Sequence, residues 1–515
     1  SRSTGGRNAT NANRERKKRG EAPLVEAVSK NVPEPVTCDE SWRGLNHIKY
    51  PLAEYKTNPE TGKKIPPSHN DVGEILLSKL GPHLVTDGDD VFYYTGTHWQ
   101  EIPPSKFRHL VRRASQKIMG GKAKDHEMNA HYNVLMDMLP EVPPEKSMWL
   151  HKENLANFKD GTFEVAEDFN MLFREHRRED YLTWVLPYRW EDPRPTNPVF
   201  RSWLETTFGN DPDGEGKIRA LQQTGGACLV SMFPRVVFLH GPGGTGKSTF
   251  ANLCAAFVGK GNVSSVEPAH MNPTSFLMEG MINKQVNIVT DISEARIDPA
   301  TFKRIEDKVP IQVNRKGRKV IMANIPAVHM FCGNALPRGI DGSSSAMDRR
   351  VTIVEFNQSV GTENDTHTRS YEQHILTCGA GDVLQFFLDG LADLCMSKGI
   401  YFNPESGKER LREWKTDNDP ASSFMDMVKE GGFPNLVLDK TYSIKAIELW
   451  QRFQSFKTNT GVFYGQGRRS FYNSVRKFGC VSYEDRHRAV WFRGIGDPIS
   501  ARTPNTGANT GWLTD

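Results

Sequence analysis

Apolar positions along the chain fall into short blocks whose period switches between that of a helix and that of a strand. Over residues 71–80 and 105–119 they recur at the three-and-four spacing of an amphipathic helix, while 91–95 and 181–189 read as strands. The pattern sharpens at Arg235. Val236, Val237, Phe238 and Leu239 form a β-rich run that stops at a glycine-rich turn, and a helical pattern follows to about Val258. Three further apolar runs, 286–290, 327–332 and 351–356, have the composition of strands buried on both faces. Such runs predict a parallel sheet with crossover helices. Asp417, Asp419 and Pro420 then mark a boundary. After it, residues 443–456 predict a helix, 468–478 a second, basic amphipathic helix ended by Gly479, and 480–483 with 489–492 a β-hairpin.

The expected organisation is a disordered basic arm or linker (1–35), an α+β N-terminal domain (36–198), an α/β domain with a parallel sheet (199–416), a winged-helix-like domain (417–497) and a frayed tail (498–515). Arg2, Arg7, Arg14, Arg16, Lys17, Lys18 and Arg19 stand in the arm among Gly, Asn, Ser and Thr, so it reads as a solvated tail or linker, or as a nucleic-acid arm. The chain opens on Ser, and the arm is therefore also expected as a junction to an upstream part.

Length and composition narrow the classes. At roughly 150 residues per domain, the 515 residues suggest three domains. Hydrophobic residues at 37% and charged ones at 25% are compatible with packed cores joined by extensive loops. The longest apolar stretches reach about half of the ~20 residues a bilayer span needs, which predicts neither membrane insertion nor export. Seven dispersed cysteines without a C-x-x-C pair suit a reducing compartment and argue against structural zinc. With 66 basic and 62 acidic residues, the net charge of +4 leaves the choice of an anionic partner to local distribution. In the N-terminal domain, Asp87, Asp89 and Asp90 beside Gly88 read as a polar turn entering a strand, and His126 with Glu127 makes no metal pattern.

Chemistry concentrates after Leu239. Gly241, Pro242, Gly243, Gly244, Thr245, Gly246, Lys247 and Ser248 match G-x-x-x-x-G-K-[ST], a pattern expected by chance only roughly 0.02 times in such a chain. Between a strand and a helix, glycines let backbone N–H groups curl around phosphate oxygens, and the helix N-terminus adds positive charge. Lys247 is expected on the β- and γ-phosphates, Ser248 on Mg²⁺, and Thr249 beside them in the nucleotide site. The ligand is then a nucleoside triphosphate, ATP with Mg²⁺.

Asp291 ends a buried run and suits the metal side, with Glu294 orienting the attacking water; a turn or capping aspartate is the rival reading. Asn334 closes another run and suits a water-positioning amide. Arg349 and Arg350 follow a segment of Gly342, Ser343, Ser344, Ser345 and Ala346 and offer a guanidinium to a transferring phosphoryl group, often a neighbouring subunit's. Two alternating runs within 310–322 predict a hairpin tipped by Arg315, Lys316, Arg318 and Lys319, a finger for a polyanion. In the winged-helix-like region, Arg468, Arg469, Arg476 and Lys477 are the candidate DNA contacts, although the same pattern serves protein contacts.

The order of loop, acid, Phe302 and Lys303 with the basic hairpin, Asn334 and the arginine pair resembles a superfamily 3 helicase of the phage, plasmid and large-DNA-virus primase-helicase branch. Residues 92–99, 157–163 and 188–193 look like the domain ahead of that core, and 414–420 is similar too. The resemblance implies an AAA+-like core, a homo-hexameric ring that hydrolyses ATP between subunits, and transport of single-stranded or forked DNA through its channel. It further implies the cytoplasm of a bacterial host, replication of a phage or mobile element, and a primase or polymerase as a further partner or fused upstream domain. Thr290 departs from the pair of acids common in the branch, and no primase site is present, so primer synthesis is not expected of this chain. An AAA+-like protein remodeller and an ATP-gated origin-binding protein are the alternatives.

Overall fold

The computed structural model describes residues 41–150, 152–272, 274–292, 307, 309–326, 328–337, 349–358, 365–417, 419–460 and 467–498. The basic arm, the tail after 498, Glu294, Phe302, Lys303 and the 342–346 segment lie outside them.

Helix α1 (His69–Leu80) begins where Ser68 and Asp71 satisfy each other's backbone N–H groups, a reciprocal cap at its first turn. It packs with α2 (Pro104–Ile118) and α3 (Asp125–Met138) around Val72, Leu76, Phe107 and Leu135. Strands β1 (Leu84–Asp87), β2 (Asp90–Tyr94) and β3 (Trp99–Ile102) form an antiparallel meander. Its side chains alternate between two cores. Leu84, Val91 and Ile102 join the helices, whereas Val85, Phe92 and Trp99 join the large sheet of the following domain. The meander is thus a layer between two bodies.

A second antiparallel meander consists of β4 (Leu155–Phe158), β5 (Gly161–Val165) and β6 (Met171–Arg174). The strand expected over 181–189 is not formed. Leu182, Trp184, Leu186 and Tyr188 do alternate into the core, but the backbone bonds are scattered: Leu182 O accepts from Trp99 N, Asn157 O from Leu186 N and Tyr188 O from Lys159 N. Period-two burial here reflects an extended segment tied at single points instead of a ladder. Residues from Leu155 to Tyr188 share a core with the large sheet, so packing continues across position 198.

The central sheet is α/β. Strands β7 (Arg235–His240), β8 (Val263–Ser264), β9 (Val286–Val289), β12 (Val328–Gly333) and β13 (Val351–Glu355) lie in the order β8-β9-β12-β7-β13, every pair parallel. Between β9 and β12, β10 (Ile311–Val313) and β11 (Ile321–Ala323) form a separate antiparallel hairpin. The helices are α4 (Val199–Phe208), α5 (Gly214–Ala227), α6 (Lys247–Val258), α7 (Asp365–Cys378), α8 (Ala380–Met396) and α9 (Glu405–Asp417). Val237, Leu239, Ile288 and Val354 face the core shared with α4, α5, α6 and α8; Val236, Phe238, Phe331 and Val351 face Leu411 and Trp414 of α9 and the first meander. Both faces are covered, which explains the continuous apolar runs. Helices α5 and α8 cross at glycines: a Cβ on Gly226 would lie 2.3 Å from Leu391 N, and one on Gly390 1.8 Å from Gln222 O.

Past α10 (Pro420–Lys429), β14 (Ser443–Lys445), α11 (Ala446–Asn459), α12 (Arg468–Lys477), β15 (Val481–Glu484) and β16 (Val490–Arg493) make a winged-helix arrangement with sheet order β14-β16-β15. Residues 443–445, expected as the start of a helix, are instead the short strand that closes this sheet against β16. Phe453 and Phe471 stack at 4.2 Å between ring centroids and pin α11 to α12. Among the described residues, no single helix is long and apolar enough to cross a membrane.

Candidate functional site

The loop from Gly241 to Gly246 connects the C-terminal end of β7 to the N-terminus of α6. Gly241 has φ 143°, and a Cβ there would meet Phe356 O at 2.2 Å, so the first turn is closed to any other residue. Gly244 (φ 73°) and Gly246 (φ 95°) also occupy the left-handed region, and Thr245 Oγ1 donates to Pro242 O at 2.9 Å. The resulting curl, capped by a helix N-terminus, is a cradle for an anion. Pro242, Gly243, Gly244 and Ser248 are exposed at its mouth; Thr249 is buried behind it.

Lys247 is 8% exposed. Its Nζ donates to Gly241 O at 2.6 Å and to Pro242 O, and lies 3.4 Å from Asn334 Oδ1. Burial draws the ammonium below its usual pKa, while the Cys332 and Asp291 side chains oppose that shift. The same burial pushes the Cys332 thiol up to about 12. An ammonium held on carbonyls inside an anion cradle fits a triphosphate.

Asp291 and Asn334 arrive from neighbouring strands. Register places Val289 opposite Phe331 and Gly333 opposite His240, so the residues just beyond β9, β12 and β7 meet at one end of the sheet. Ile292 N donates to Cys332 O at 2.9 Å and Gly241 N to Gly333 O at 3.2 Å, fixing the three strand exits to one another. Asp291 and Asn334 are both exposed there. Ser248 and Asp291 carry the kind of hard oxygen donors that could hold Mg²⁺. Glu355 closes the far side of the site: its carboxyl is hydrogen-bonded by His240 and by Arg410 Nε at 2.8 Å, which holds it down to about 2.

The arginine pair separates. Arg350 is 8% exposed and paired with Asp307, whereas Arg349 is exposed. Both precede β13, whose Val351 is in register with Val236 at the start of β7. They therefore sit at the edge of the sheet opposite the phosphate loop. Beneath them lies Arg235, a buried residue the sequence reading passed over because an arginine opening an apolar strand carries no local signal.

The hairpin differs most from expectation. Its tip does not present four free cations. Arg315 is 7% exposed, pairs with Asp90 at 2.8 Å and lies over the Trp149 ring at 5.1 Å. Arg318 pairs with Glu101 and approaches Asp90 at 3.6 Å, and Lys319 pairs with Asp89 at 2.6 Å. The acids belong to the first meander, so the tip is docked on the N-terminal layer. Lys316 is exposed, and its backbone N–H donates to Glu279 at 3.3 Å. That contact brings the turn with Phe276 and Leu277, 60% and 53% exposed, beside the tip. In the winged-helix region Arg468, Arg469, Arg476 and Lys477 are all exposed on α12, with Arg476 bonded to Asn473 and Ser482.

Comparison with known proteins agrees with this layout. Residues 74–209 match the family described as D5 N terminal like, and residues 239–350 match a family of unknown function, DUF5906. The first match runs from within helix α1 to the end of helix α4, and the second runs from the end of β7 to the residue before β13, so the phosphate loop, Asp291, Asn334 and the arginine pair all fall within it. Solved structures similar to this chain include the A form apo structure of the NrS-1 C terminal region, 14% identical over 82% of this chain and 99% of that one with a TM-score of 0.39. A second apo structure of the same region is 14% identical over 84% and 100%, with a TM-score of 0.38.

Proposed function

We propose that this protein is the ATP-driven motor of a replicative DNA helicase of a phage or mobile element, acting as a homo-hexameric ring on single-stranded and forked DNA. The observation that carries the reading is the meeting of Lys247, Asp291 and Asn334 at the exits of three adjacent parallel strands. Residues 241–249 would hold the triphosphate, its anionic oxygens exchanging with loop carbonyls as partners of Lys247. Ser248 and Asp291 would hold Mg²⁺, which when bound neutralises phosphate charge. Asn334 Oδ1 orients the attacking water, and Asp291 lies close enough to oppose the downward pull of burial on the Lys247 ammonium.

Arg349 completes the site only from another subunit. Strand β7 alone, six residues long, separates the two edges by about 17 Å, more than an arginine side chain spans. A guanidinium at that edge supports hydrolysis at an interface. For DNA, exposed Lys316 and the four exposed α12 cations are the contacts we assign.

ATPase rate with and without single-stranded DNA, measured beside displacement from 3′-tailed and 5′-tailed forks, tests the reading. DNA-stimulated hydrolysis with displacement of one fork type is expected. Hydrolysis indifferent to DNA would move the assignment to a protein remodeller, a reading favoured by exposed Phe276 and Leu277 beside the hairpin.

A further inference from the structure

Arg235 opens β7 and is 3% exposed, yet it carries a charge. Its Nη1 donates to Arg349 O, its Nη2 to Val351 O at 3.0 Å and Asn403 Oδ1 at 2.7 Å, and its Nε to Thr352 Oγ1 at 2.7 Å. Thr352 Oγ1 in turn donates to Asn403 Oδ1 at 2.9 Å, and the guanidinium lies 4.7 Å from the Tyr401 ring centroid. The carbonyl between, Arg350 O, accepts from Val236 N at 3.1 Å. Two consecutive residues of β7 therefore hold three consecutive carbonyls, 349 to 351. A strand end is ordinarily where a ladder frays, and burying a guanidinium to pin one is costly. Here the pinned backbone is the base of exposed Arg349.

We infer that Arg235 is a positioning residue that fixes Arg349 for a neighbouring subunit's nucleotide site. This rests on the reading that Arg349 acts across an interface. Arg235 and the phosphate loop are the two ends of one six-residue strand, so the subunit's own nucleotide site and the arginine it lends share a single rigid element. The five donor positions of a guanidinium suit this task, because its planar fork spans carbonyls on both sides of Arg350 at once.

The test uses the full chain with Arg235→Gln, Thr352→Val and Arg349→Ala, each alone and mixed with Lys247→Ala subunits. Thr352→Val keeps the shape of a β-branched strand residue and removes the hydroxyl that Arg235 and Asn403 share, so it decides the matter if Arg235→Gln does not fold. Misplacing a catalytic group by about 1 Å can cost on the order of 100-fold, and a fall of that order in kcat is expected for Arg235→Gln, with a smaller one for Thr352→Val and KM for ATP unchanged in both. Mixing is expected to restore part of the ATPase, since Lys247→Ala subunits lend an intact arginine to the variants' intact phosphate loops. A raised KM at unchanged kcat would overturn the proposal. So would rescue of Arg349→Ala by mixing without rescue of Arg235→Gln or Thr352→Val. If Arg349→Ala itself is not rescued, action across the interface fails first and the role of Arg235 falls with it.

Discussion

Lys247, Arg349 and Arg350 illustrate how differently basic side chains behave in one fold. Lys247→Ala removes the charge inside the anion cradle, and ATPase activity is expected to fall to background while the circular dichroism spectrum is kept. Arg349→Ala leaves the core untouched because the side chain is exposed, yet a transition-state guanidinium is worth on the order of 10³-fold or more in rate. Arg350→Ala should show the converse: it deletes the buried partner of Asp307 and is expected to cost roughly 1–3 kcal/mol in urea unfolding. Equal losses of activity and stability in the two variants would contradict this division. The sequence places two adjacent arginines before a strand without distinguishing them. What separates them is tertiary: Arg350 O accepts from Val236 N at the start of β7, and the Arg350 side chain is buried against Asp307, a contact that no local pattern announces.

At the level of elements, the phosphate loop, Asp291 and Asn334 can be placed from sequence because a doubly covered parallel sheet writes each strand as a largely apolar run, and both residues stand within two positions of such a run's end. The hairpin is legible as a hairpin, but its surroundings are not. Arg315 and Asp90 are 225 residues apart in the chain, and an acidic turn that looks merely solvated proves to be the dock for a basic tip. On the proposed reading, the acids of the first meander would compete with DNA for Arg318 and Lys319. Asp89→Asn combined with Glu101→Gln removes the nearest acid from each cation, leaving Arg318 only the longer 3.6 Å approach to Asp90, and should tighten binding of single-stranded oligonucleotide. The slope of log affinity against log salt is expected to steepen by about 0.7 to 1.4, given ~0.7 per phosphate neutralised on a single strand. An unchanged slope would mean that neither cation reaches DNA. Asp90 is left intact in this design, because removing it strands the buried Arg315 charge.

Over the whole molecule, the two halves of the N-terminal region have different allegiances: helices α1 to α3 keep a core of their own, while the second meander is built into the core of the central sheet. The first core carries a pH sensitivity. His131 on α3 is 1% exposed, and burial beside His69 pushes its pKa down to about 4 from an ordinary 6.5. Between those values the unfolded chain binds a proton that the folded one does not, so stability is full above pH 6.5 and declines as pH falls towards 4. The loss is expected to be on the order of 3 kcal/mol, and His131→Phe should flatten it in urea titrations at pH 7 and pH 4.5. The opposed edges of the central sheet have a consequence for assembly. On the proposed reading, in which Arg349 acts across an interface, a molecule that receives a guanidinium at one end of the sheet and lends one at the other would meet its copies head to tail, in a row or a ring. An open row of n chains contains n − 1 complete sites and only a closed one contains n, so specific activity should drop on dilution before any subunit unfolds, and closure itself becomes the step that switches on the last site.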